Sequence, residues 1–197
     1  MDDRNPSDGD LLRRMMAGDE EAFTALYRRR QGGVYRFALQ MSGSPPIAEE
    51  VTQEVFMTLI REGANYDPSR GTLAAYLYGI ARNHVLRSLE RERLETASEI
   101  PEQPSGAEDA LGTLTRTQSI ESVRAAVLGL PAHYREVVVL CELHEMDYAE
   151  AAAALGCALG TVRSRLHRAR ELLAERLRPV REANRAGAKV CPARCLT

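Results

Sequence analysis

The sequence predicts an all-α fold, two small helical domains joined by a flexible linker, on three observations. Apolar residues recur at three- and four-residue spacing through most of residues 11–93 and 120–178, the period of a helix buried on one face. Between these stretches, residues 96–118 carry Pro101, Pro104, Ser105, Gly106 and scattered acids without a sustained period, the composition of a linker. Towards the C-terminus, Asp147 to Arg170 holds two helical patterns broken by a turn, a helix-turn-helix outline. The expected divisions are 1–95, a linker at 96–118, 119–180, and a basic Cys-containing tail at 181–197.

Leu11 to Gln31 reads as helix, and Gly18-Asp19-Glu20-Glu21 marks a break followed by a fresh acidic helix start. A second segment, Val34 to Met41, ends at Ser42-Gly43-Ser44-Pro45-Pro46, where the Pro pair forces a turn. From Ile47 to Arg61 a third helix buries Ile47, Val51, Val55 and Leu59. Its other face carries Glu50, Gln53, Glu54, Met57 and Ile60, and this mixture of apolar and acidic groups suits docking against another protein. Tyr66 to Gly71 is a turn, and Thr72 caps a helix from Leu73 to about Arg93. On that helix Tyr76, Asn83 and Arg87 line up a ring, an amide and a guanidinium. Such a stripe can stack on and hydrogen-bond an unpaired base, or serve simply as a polar helix face.

Past the linker, Ile120 to Leu128 and Pro131 to Leu143 supply two supporting helices, with Pro131 at a first turn. Asp147 caps the next helix with Glu150 as its capping-box partner, and Gly156 ends it in the left-handed conformation. Gly160-Thr161 opens the last helix, whose apolar stripe is Val162, Leu166, Ala169, Leu173 and Leu177. Ser164, His167, Arg168 and Glu171 lie opposite, flanked by Arg163 and Arg165. Hydroxyl, imidazole and guanidinium groups on the first turns are what a recognition helix offers to base edges and phosphates.

A formal net charge of -2 is unlike the basic footprint of most nucleic-acid binders, but the charge is unevenly spread. Acids gather at Asp2, Asp3, Asp8 and Asp10 and across Glu90 to Glu121, whereas Arg163 to Arg181 is strongly basic, and a local patch suffices for phosphate. With no basic start before an apolar run, no signal peptide is expected, and the longest uncharged run, Ala151 to Val162, is too short to span a bilayer. A cytoplasmic protein without membrane insertion is expected, its Cys141, Cys157, Cys191 and Cys195 free thiols. Cys191 and Cys195 are the sole metal candidates, and two ligands do not complete a zinc site. No phosphate-binding Gly loop, His-Glu-x-x-His helix or Gly-x-Ser-x-Gly elbow is present, which points away from an enzyme, and no cofactor is expected.

Leu130-Pro131, Tyr134-Arg135-Glu136-Val137, Tyr148-Ala149-Glu150 and Gly160-Thr161-Val162-Arg163-Ser164-Arg165-Leu166-His167-Arg168-Ala169-Arg170 resemble region 4 of the extracytoplasmic-function group of bacterial RNA polymerase sigma factors. Ala48-Glu49-Glu50-Val51-Thr52-Gln53-Glu54-Val55-Phe56 is similar to region 2.2 of the same group, and Ala75-Tyr76-Leu77-Tyr78-Gly79-Ile80-Ala81-Arg82-Asn83 to its regions 2.3 and 2.4. The resemblance implies a region 2 helical bundle and a region 4 helix-turn-helix that bind core RNA polymerase and promoter DNA, with an anti-sigma factor as a further partner. It implies that Glu50, Gln53, Glu54 and Met57 contact core polymerase. Tyr76, Arg82, Asn83 and Arg87 would melt and read the minus-10 element, and Thr161, Arg163, Ser164, Arg165, His167 and Arg168 the minus-35 element. Tyr76 stands where the family usually has Trp. Arg87 and Glu90 stand where it places an acid and then a base, three apart, so that a helix-surface ion pair of reversed polarity can form.

Two other classes fit parts of the chain. A stand-alone helix-turn-helix regulator leaves the Ile47–Arg61 docking face and the Tyr76–Asn83 stripe unexplained. A site-specific recombinase requires a catalytic domain with strands, whereas residues 1–95 read helical throughout.

Overall fold

The computed structural model describes residues 6–98 and 114–187. Among them are eight α-helices and no strand: α1 (Asp8–Met16), α2 (Glu20–Ser42), α3 (Pro45–Glu62), α4 (Leu73–Ser98), α5 (Leu114–Leu128), α6 (Ala132–Val138), α7 (Tyr148–Leu155) and α8 (Leu159–Gly187). Two short 3-10 turns lie between α3 and α4, and a π-helical turn, Val139–Leu143, extends α6.

Local chemistry explains the boundaries. Ser7 caps α1 by accepting from the Asp10 amide, and Asp19 caps α2 by accepting from that of Ala22. Asp8 then ties the two helices by pairing with Arg29 at 2.9 Å and with Arg30. Where the sequence suggests two segments, α2 runs unbroken through Gly32-Gly33 to Ser42. Tertiary burial of Val34, Phe37, Ala38 and Met41 outweighs the roughly 1 kcal/mol that each mid-helix Gly costs. α5 begins at Leu114, six residues before the expected Ile120 and inside the expected linker, and α8 runs on to Gly187, past the expected bound at 180. Cys191 and Cys195 lie outside the described residues.

The helix-turn-helix forms as its residues dictate. The Asp147 carboxylate accepts from the Glu150 amide at 2.8 Å, and Gly156 closes α7 at φ 61°. The reciprocal arm of the capping box is absent, because the Glu150 carboxylate accepts from the Thr72 hydroxyl of α4 at 2.9 Å instead. That exchange of a local bond for a long-range one shows how the molecule is assembled.

The N-terminal unit packs α1, α2, α3 and α4 around Leu26, Phe37, Met41, Val55, Leu59 and Leu77. The C-terminal unit packs α5, α6 and α7 on α8 around Val137, Val138, Leu140, Val162, Leu166 and Ala169. The two cores are continuous, because α7 lies along α4 and the π-helical turn lies against α2. His144 fastens this junction: its Nε2 meets the Gln40 Oε1 and its Nδ1 meets the Tyr78 hydroxyl, both at 2.9 Å. A neutral ring donating from Nε2 and accepting at Nδ1 satisfies both partners.

Burial, aided by the positive charge of Arg36, lowers the His144 pKa from 6.5 to about 4. The unfolded chain therefore takes up a proton that the packed ring refuses. The contribution to stability is complete above pH 6.5 and is lost progressively as pH falls towards 4. Urea unfolding at about pH 7 and about pH 5 should show a larger loss for wild type than for His144→Gln, and equal losses would mean that the ring protonates freely where it sits.

Candidate nucleic-acid interface

Three surfaces correspond to the residues singled out in the sequence. On α3, Val51, Val55 and Leu59 are buried, which turns Glu50, Gln53, Met57 and Ile60 outwards with Glu54 partly covered. Met57 and Ile60 are each 48% exposed, an unpaired apolar pair within a polar face. Glu50 pairs with Arg91 of α4 at 3.1 Å, and Glu54 lies 4.0 Å from Arg61. The acids of this face are thus held by the fold without being hidden.

On α4, Tyr76 does not stand free. Its ring packs on Tyr66 with centroids 5.6 Å apart, and the two rings open into a cleft of about 530 Å³. Asn65, Asp67 and Arg70 line it as well, together with Ala152, Ala153, Cys157 and Ala158 of the C-terminal unit. Tyr66 went unnoticed in the sequence; its place in the turn before α4, ten residues ahead of Tyr76, is the signal that could have marked it. Asn83 and Arg87 are exposed, so the expected stripe exists. Glu90 approaches Arg93 at 3.9 Å, so the expected pair with Arg87 gives way to one further along the helix. Arg82 is turned from solvent and donates from Nε to Glu136 of α6 at 2.8 Å, a partner 54 residues away that no periodicity announces.

On α8, burial of Val162, Leu166 and Ala169 sets the opposite face outwards. Arg163, Ser164, His167 and Arg168 are exposed, with Thr161 and Arg165 at its edges. Arg168 donates to Glu171 at 2.8 Å, an ion pair that raises its own pKa, and His167 lies 3.6 Å from the same carboxylate. Arg170 is drawn to Glu142 of the π-helical turn. Arg163 and Arg165 make no ion pair among the described residues, so an anion can approach either guanidinium without displacing a partner.

Comparison with known proteins places these surfaces. The sigma-70 region 2 family matches residues 26–95, and the sigma-70 region 4 family matches residues 120–173. The ECF RNA polymerase sigma factor SigM of Mycobacterium tuberculosis is 33% identical over 174 residues, 87% of this chain and 85% of that one. The chain belongs to the ECF group of RNA polymerase sigma factors. SigE of Mycolicibacterium smegmatis, another ECF sigma factor, is 34% identical over 167 residues, covering 81% of this chain but 64% of that longer relative. Among solved structures, the sigma factor RpoE in complex with the anti-sigma factor NepR from Bartonella quintana superposes with a TM-score of 0.59. It is 28% identical over 75% of this chain and 91% of its own. The α3 and α4 surfaces of this sigma factor thus fall within its region 2 and the α8 surface within its region 4. No helix among its described residues is long and apolar enough to cross a membrane. Nor, among those residues, is any group of three or more His, Cys, Asp or Glu placed to hold a metal ion.

The Tyr66 hydroxyl donates to the Gly71 carbonyl at 3.1 Å, whereas that of Tyr76 reaches the Glu62 carbonyl only at 3.5 Å. In chemical unfolding, Tyr66→Phe should cost about 1 kcal/mol and Tyr76→Phe less than about 0.5. An equal loss in the two variants would show that Tyr76 is anchored by its hydroxyl and is not free to present its face.

Proposed function

We propose that this sigma factor binds core RNA polymerase in the cytoplasm and directs promoter-specific initiation, with residues 1–95 acting at the minus-10 element and 119–180 at the minus-35 element. The observation that carries the proposal is the exposed, basic first half of α8 at one end of a chain whose other end presents the Met57–Ile60 face of α3. A stand-alone regulator has no use for the second surface. In this reading Glu50, Gln53, Glu54 and Met57 dock on polymerase. Tyr76 and Tyr66 receive an unpaired base while Arg82, Asn83 and Arg87 follow the strand. Thr161, Arg163 and Arg165 hold phosphates, and Ser164, His167 and Arg168 reach base edges in the major groove. The chain carries no chemistry of its own, and the polymerase performs the catalysis. The segment between α4 and α5 links the two units, and an anti-sigma factor of the kind bound to the solved RpoE is a fitting further partner.

Run-off transcription on genomic DNA with core polymerase tests the whole function, and absence of chain-dependent transcripts would refute it. Exchanging Gln53 and Glu54 together for Ala should weaken core binding while leaving the helical circular dichroism signal intact, since both lie outside the buried Val51–Val55–Leu59 stripe. Arg168→Ala should lose about 1–3 kcal/mol of discrimination between intact and mutated minus-35 elements, the usual size of a base-reading contact. A variant that binds both elements less well by one common factor would reassign Arg168 to the backbone.

A further inference from the structure

Arg170 is a cation in the basic half of α8 that the proposed promoter contacts leave unused. It stands seven residues after Arg163, two helical turns on and within about 20° of the same line along the helix, so a free side chain there would extend the row that Arg163 begins. It is not free. Its Nε and a terminal nitrogen both donate to Oε1 of Glu142, the former at 3.1 Å. That carboxylate comes from the π-helical turn Val139–Leu143, 28 residues back, whereas Arg168 is held by Glu171 of its own helix.

Stability does not account for the pair. The side chains of Arg170 and Glu142 are 57% and 41% exposed, and ion pairs so open to water add little to folding. The turn that carries Glu142 is itself an uncommon one, since π turns are rare and concentrate at functional places. Just after it Glu145 sits at φ 54°, where a side chain is seldom placed.

We propose that Glu142 is a positioning residue for the recognition helix, one that holds Arg170 against the protein and so keeps it from the DNA phosphate backbone. The proposal rests on the minus-35 reading above. A released guanidinium would add one phosphate contact and the counterion release that goes with it. Such a contact carries no sequence information, so every duplex shares the gain. Contacts of this kind act mostly on dissociation, and one fewer shortens each stay on unrelated DNA.

The test uses holoenzyme assembled from core polymerase and the full-length chain, with core alone as the blank. Its probes are a short duplex holding a minus-35 element taken from a promoter found by run-off transcription, and the same duplex with that element scrambled. Circular dichroism should show unchanged helix in Glu142→Ala and in the isosteric Glu142→Gln, because the pair is exposed. Either substitution should tighten binding to both duplexes by one common factor and steepen the fall of log affinity with log salt by about 0.9, the value of one phosphate. Between about 50 and about 200 mM salt, the loss of affinity should then be about 3.5-fold larger than for wild type. Removing a negative charge near DNA tightens binding by itself, so the deciding arm is Arg170→Gln. Alone it should leave the slope near that of wild type, and added to Glu142→Ala it should restore that slope. Unaltered slopes in both Glu142 variants overturn the role of Glu142, as does a steeper slope that survives without Arg170. Tightening confined to the intact duplex overturns it too, because Arg170 would then be reading a base. A wild type that binds both duplexes no better than core alone overturns the minus-35 reading itself, and the role of Glu142 falls with it.

Discussion

The structure depends on α4 having two faces to bury. Leu73, Leu77, Ala81 and Val85 enter the core shared with α2 and α3, while Ala75, Tyr78, Gly79 and Arg82 meet the C-terminal unit. A helix covered on one side alone would show a single apolar stripe against a charged one. Here the second side has small and polar residues, because what packs on it is the backbone of a short Ala-rich helix and a carboxylate. The close approach needs the absent side chain at Gly79.

What could be read from the sequence is what chain-local physics determines. Caps at Asp19, Thr72 and Asp147, the left-handed stop at Gly156 and the buried stripes of α3 and α8 all follow from spacing and residue type. The exposed faces opposite those stripes follow as well, which is why the α3 and α8 surfaces were legible before any coordinates. Illegible were the contacts that span the chain. His144 meets Gln40 across 104 residues and Glu150 meets Thr72 across 78. Periodicity says which face is buried but not against what. Arg82 shows the limit well: the resemblance set it beside Asn83 among the minus-10 residues, yet in the structure a carboxylate from α6 holds it. The continuity of α2 through Gly32-Gly33 was missed for a related reason, since local propensity was overruled by tertiary burial.

Electrostatics divides the cations of α8 into two groups. Arg168 and Arg170 are held by Glu171 and Glu142, and Arg163 and Arg165 are not, although all four share one basic stretch. A paired guanidinium is oriented but must trade one anion for another, so its net gain on meeting phosphate is reduced. An unpaired one gains the full release of counterions. An acidic chain can therefore still offer an anion a few unpaired positive charges on one helix.

The same reasoning extends to the seam between the units. The two units share a continuous core: α7 rests on α8 as well as on α4, and Val137, Val138, Leu140, Val162 and Leu166 belong to the same buried cluster as Leu26, Phe37 and Leu77. Separation would expose the rings of Phe37 and Tyr78 and the side chain of Leu128 along with hydroxyl, carboxylate and guanidinium groups, although it would rehydrate the unpartnered atoms of Glu136 and Arg135. Packing of the fully buried Phe37 ring with Tyr78 and His144 is thus the apolar anchor of the junction, and the polar contacts around it fix its register.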